Sequence, residues 1–132
     1  EILRDLIAST PGAEGKWFAA AKDAGLFAVA AELATRSPTE PRTLTRAARD
    51  YAEQQPAFAL AAGLAALRWI SLGHGYEITG TDVLDAYSAV TQAAVNAVVP
   101  TQQVNEQIRD MIASTQPGNS LMKTILIRHL AN

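Results

Sequence analysis

Apolar residues recur at intervals of three and four along this chain, in Ala- and Leu-rich segments of roughly 10–18 residues separated by Pro and Gly, while strand-like alternation is almost absent. The pattern predicts an all-α protein of seven or eight helices. Ile2, Leu3, Leu6 and Ile7 share one face of a first helix that Pro11-Gly12 ends. A second helix, 14–24, closes on Gly25, a residue free to take the left-handed conformation. A third, 26–36, stops before Pro38. The fourth starts between Thr39 and Thr43 and ends at Gln54 or Gln55, because Pro56 cannot continue it but can open the next. Helix five, 56–72, is apolar nearly all the way round and must be covered on several sides. Thr79 and Asp82 fit a capping box at the start of helix six, with Ile78 and Val83 as its hydrophobic staple. That helix should run to about Val98, before Pro100. Thr101 caps a seventh helix ending at Ser114, and Asn119 or Ser120 caps a last one over 121–130.

Two echoes run through this pattern. "LRDLIASTPG" at 3–12 returns as "IRDMIASTQPG" at 108–118, and "FAVAAELA" at 27–34 returns as "FALAAGLA" at 58–65 with six of eight positions alike. The second pair is preceded by "AAKD" at 20–23 and "AARD" at 47–50, so successive helix pairs follow one template, as in helical repeat proteins. A helix pair cannot bury its own apolar face, so copies stack and complete one another's core. The run "AAKDAGLFAVAAELA" resembles the middle of a tetratricopeptide repeat: a helix ending near Gly25, an aromatic at Phe27, and a small Ala30 early in the next helix. The resemblance covers 14–38 and, more loosely, 43–72, where Glu53-Gln54-Gln55-Pro56 replaces the compact Gly turn. It implies stacked antiparallel helix hairpins forming a right-handed α-solenoid, with helix five at the centre.

Composition narrows the functional classes. With 132 residues, 48% of them hydrophobic, the chain suits one domain with a core of its own. It begins at Glu1 rather than Met, which reads as a piece of a longer chain. A formal charge of −2 gives no global basic field for nucleic acid or anionic lipid. The absence of cysteine excludes disulfides, thiolate zinc sites and thiol nucleophiles, and suits a cytoplasmic setting. Segment 57–72 carries Arg68 and is too Ala-rich and short for a membrane span. Two histidines far apart, without acidic residues at ligand spacing, argue against a metal, and no cofactor motif occurs.

The remaining candidates are few. In "LGHGYEIT", 72–79, His74 stands between two glycines beside Tyr76 and Glu77, residue types able to carry protons. The preferred reading is structural: a helix ends at Gly73, Gly75 takes positive φ, and His74 is exposed near the negative end of helix five. Arg42, Arg46 and Arg49 form a basic stripe on helix four, a possible anion contact. The spacing also sets Arg46 against Asp50 and Arg49 against Glu53, so half the stripe is expected to be neutralised within its own helix, and nucleic acid is not the expected partner. Arg68, if turned inward, needs a carboxylate or carbonyl. Phe18, Phe27, Phe58 and Trp69 are assigned to the core, whereas Trp17, Tyr51 and Tyr87 fall on the helices that would face the inner surface of a solenoid. In "SLMKTILIRHLA", Leu121, Met122, Ile125, Leu126 and Leu130 make an inward face, and Ile127 is left near the outer side as a self-association contact. The pattern therefore predicts a non-enzymatic helical-repeat domain that binds a protein or peptide. The alternative is a helical accessory domain of a larger enzyme or nucleic-acid-binding protein whose working site lies outside this segment.

Overall fold

Helix-forming Ala, Leu, Arg and Gln fill the interiors of the segments, and Pro and Gly fall at their edges, so the helices begin and end close to the predicted places. The computed structural model describes residues 17–75, 77–113 and 124–126. It contains α1 (Phe18–Asp23), α2 (Phe27–Arg36), α3 (Pro41–Asp50), α4 (Pro56–Ser71), α5 (Gly80–Asn96) and α6 (Thr101–Ala113), and residues 124–126 are also helical. No strand occurs among the described residues.

Three of these helices end alike. After α1 the Gly25 and Leu26 N–H groups donate to the Lys22 and Ala21 carbonyls; after α4 those of Gly73 and His74 donate to Ile70 and Trp69. After α5 those of Val98 and Val99 donate to Val95 and Ala94. This double bond to the last turn is the Schellman arrangement, and it needs a left-handed residue at its pivot. Gly25 (φ 77°) and Gly73 (φ 89°) supply it at no steric cost, whereas Val98 (φ 58°) is a β-branched residue in the same place. That pivot ends α5 at Asn96, two residues short of the expected limit. The fourth predicted helix is also shorter: α3 stops at Asp50, and turns over 51–54 lead to Gln55, whose N–H donates to the Tyr51 carbonyl. The predicted first helix lies outside the described residues, as does most of the last.

The apolar circumference of α4 is covered as its sequence requires. Only Ala57 and Arg68 of this helix are exposed, and α2, α3, α5 and α6 all pack against it. At Gly63 the approach is closest: an added Cβ would stand 2.6 Å from Val90 Cγ2 and 3.5 Å from Ala48 Cβ. Around α4 the packed helix pairs are those one or two places apart along the chain. Helices two places apart run in the same direction. For α2 and α4, Phe27 meets Phe58 near the two starts (ring centroids 5.0 Å apart), and the Trp69 indole N–H donates to the Ala34 carbonyl near the two ends, 2.7 Å. Among the described residues, α2, α4 and α6 therefore lie in one layer and α3 and α5 in another, with the core between and around them. The 124–126 turn meets the start of α5: Leu126 is fully buried, and a Cβ on Gly80 would stand 2.8 Å from Ile125 Cδ1.

Candidate functional site: a polar cleft between α3 and α5

The local sequence at the start of α3 is built to hold Arg42 outward from the helix. Pro41 occupies the first turn, where its missing N–H costs nothing, and the Glu40 carboxylate accepts the Arg42 N–H at 3.2 Å. A cation in the first turn opposes the helix dipole. Here it is met from across the cleft: Arg42 Nε and Nη2 donate to Asp82 Oδ1 and Oδ2 at 3.1 and 2.8 Å, and Nη2 also donates to the Glu77 carbonyl at 2.9 Å. Asp82 in turn belongs to the predicted capping box. Its Oδ2 accepts the Thr79 N–H at 2.9 Å, and its own N–H donates to Thr79 Oγ1 at 3.4 Å. One carboxylate thus caps α5 and ties it to α3.

The charge states follow from this contact. Hydrogen bonds from Arg42 hold the Asp82 carboxyl below the usual carboxylate range, with the Thr79 bonds adding to the effect and partial burial opposing it. The same bond raises the Arg42 guanidinium above its ordinary value.

The opposite ends of the two helices are joined by different chemistry. Asn96 Nδ2, at the end of α5, donates to the Ala52 carbonyl just past α3, 2.8 Å. With Arg42–Asp82 at the starts and Ala52–Asn96 at the ends, α3 and α5 run parallel and are tied at both limits. α3 and α5 pack against each other, and on their solvent side the exposed side chains stand apart. A cleft remains, with Thr45, Arg46 and Arg49 on one wall, and Asp85, Ser88 and Gln92 on the other. Ile70 lies at the Arg42 end, and Ala52 and Ala89 lie at the far end.

The arginine stripe is thus brought to one place, but its pairing differs from expectation. Arg49 contacts its neighbour Asp50, 3.6 Å, not Glu53, and Arg46 makes no ion pair among the described residues. Glu53 lies past the end of α3, so helical spacing is not available to its pair with Arg49; it is available to Arg46 and Asp50, yet exposed side chains of this length gain little by closing it. Asp82, the partner of Arg42, lies forty positions away, so helical spacing could not point to it. Asp85 makes no ion pair among the described residues and shares the cleft with Arg46 and Arg49. Sequence reasoning passed over Asp85; its one signal is its place one turn after the capping Asp82.

The three candidate aromatics do not line this cleft. Tyr51 is half-buried and meets Phe27 and Phe58 edge-on, at 5.2 and 5.7 Å between ring centroids. Tyr87 is half-buried, and its hydroxyl donates to Asn105 Oδ1 at 3.2 Å. Trp17 is half-buried against the main core. Phe18, Phe58 and Trp69 are buried as assigned, while Phe27 is partly covered.

Elsewhere, a helix ends just before Gly73 and Gly75 takes positive φ as expected, Gly73 takes it as well, and His74 is exposed with its ring edge-on to Trp69, 5.4 Å. Arg68 turns outward, 5.6 Å from the centre of the Trp69 ring, so it needs no buried partner. Tyr76 and Ile127 lie outside the described residues. Among the described residues no cluster of acidic and histidine side chains could hold a metal, and no helix is long and apolar enough to cross a membrane. Compared with family models, curated proteins and solved structures, the chain gives no match.

Proposed function

We propose that this chain is a stacked-hairpin, tetratricopeptide-like α-solenoid segment that acts as a non-enzymatic platform, holding a peptide or protein partner in the cleft between α3 and α5. The observation that carries this reading is the cleft itself. Two parallel helices are tied at both ends, and the space between them is left open with charged groups on both walls. The two layers, with packing between helices one and two places apart and parallel alternate helices, support the solenoid reading, because stacked hairpins make those contacts. In that arrangement α3 and α5 belong to the layer that faces inward. Nucleic acid fits the cleft poorly, since Arg42 is already held by Asp82 and Asp85 would face the phosphates.

Selection of a displayed random-peptide library on the folded chain tests the proposal. Peptides should be recovered whose binding falls at least tenfold in Arg46→Glu/Arg49→Glu and in Asp85→Lys. Recovered peptides that bind these variants as well as the parent would place the contact elsewhere and overturn the reading.

A further inference from the structure

The cleft's charges are arranged in an order, and the order bears on what it accepts. This inference rests on the reading of the cleft as a peptide site and names the peptide's chemistry. On the α3 wall, Arg46 and Arg49 are three residues apart, so their side chains emerge roughly 5–6 Å from one another along the helix. Neither is committed to a partner across the cleft: Arg46 makes no ion pair among the described residues, and Arg49 contacts only Asp50 of its own helix. On the facing wall stands Asp85, also without an ion pair among the described residues, followed by the neutral donors and acceptors Ser88 and Gln92. Arg42 and Asp82 satisfy one another and close the end, so they add no net charge to what lies between.

An extended segment presents successive side chains to opposite sides, and alternate ones about 6.6 Å apart on the same side. That repeat is slightly longer than the spacing at which Arg46 and Arg49 leave the helix, a difference that the long arginine side chains can span. With two alternate side chains turned to α3, the one between them is turned to α5 and Asp85.

We propose that the cleft selects an extended segment whose charges alternate, acidic–basic–acidic, the two acidic side chains pairing with Arg46 and Arg49 and the basic one between them with Asp85. A uniformly acidic segment satisfies the arginines but sets a carboxylate against Asp85. A uniformly basic one has the opposite fault twice. A segment with the same composition in blocks can meet Asp85 and one arginine at its junction, but sets a like charge against the other arginine.

The test uses four fluorescein-labelled hexapeptides with blocked ends, read by anisotropy at low ionic strength: alternating Glu-Lys, three Glu followed by three Lys, all Glu and all Lys. The alternating peptide should bind at least fivefold more tightly than the block peptide of identical composition, and more tightly than either homopolymer. Arg46→Glu/Arg49→Glu and Asp85→Lys should each remove that preference while leaving the helical circular dichroism unchanged, since all three side chains are exposed. Equal binding of alternating and block peptides, or tighter binding of the all-Glu peptide, overturns the inference. Display-selected peptides that need the cleft residues but carry no alternating charge would overturn this inference and leave the platform reading standing. Failure of every peptide, selected or designed, would sink both.

Discussion

Val98 shows what one side chain in the wrong conformation costs. It occupies the pivot that Gly25 and Gly73 occupy after α1 and α4, is 88% exposed, and so pays for its left-handed backbone with no packing in return. Left-handed geometry costs an L-residue about 1–2 kcal/mol, and glycine gives back part of that through the freedom it loses on folding. Val98→Gly is therefore expected to stabilise the chain by about 0.5–1 kcal/mol, measured by urea unfolding. Asp82 is the opposite case, one side chain with two structural roles. Its carboxyl is held below the usual range in the folded chain, so its contribution is present above the unfolded value and is lost as pH falls through the folded one. Stability should decline as pH drops below about 4. Asp82→Asn should lose about 1 kcal/mol at neutral pH and show a shallower acid decline. The capping box was legible because it is local, four residues from Thr79 to Asp82. The Arg42 bridge was not, because a contact across forty positions leaves no mark in spacing.

Among the elements, α4 was the most legible, since a segment with a single charge and no polar face has only one stable location. The echo between 27–34 and 58–65 becomes physical at its least conservative difference, Glu32 against Gly63. In α2 that position is exposed, and Glu32 pairs with Arg36; in α4 it faces Val90 of α5, where no side chain fits. The two helices share most of the pattern, and the residue at which they differ follows which of them has a neighbour on that side. Gly63→Ala would gain about 1 kcal/mol in helix propensity but incur about 1–3 kcal/mol of overpacking. A net loss of about 1 kcal/mol is expected from chemical denaturation. Combining it with Val90→Ala should cost less than the sum of the two single changes, because the second removes the atom that the first strikes. Additive losses would mean that α4 and α5 do not meet at this point as described. The limits of α3 and α5 were less legible, because Tyr51 and Val98 are not residues whose identity announces a helix end.

At the scale of the whole molecule, periodicity was enough to give an all-helical chain with one central helix, while the open space between α3 and α5 was invisible to it. A cleft is a property of side chains that fail to meet, and a sequence records only those that are present. What bounds the cleft has a mechanical consequence. Its two ties differ in kind: Arg42–Asp82 depends on a titratable carboxylate, whereas Asn96–Ala52 is a neutral amide–carbonyl bond. The Arg42 end of the helix pair is therefore held by a contact that depends on the charge of Asp82, and the Asn96 end by one that does not. Because the chain has no native cysteine, spin labels can be placed without background. Attached through Thr43→Cys with Leu84→Cys, they should report a broadened distance distribution when Asp82→Asn is added. Attached through Glu53→Cys with Val95→Cys, they should report no change, and broadening at both ends would show that the Arg42–Asp82 contact does not act on its own end alone.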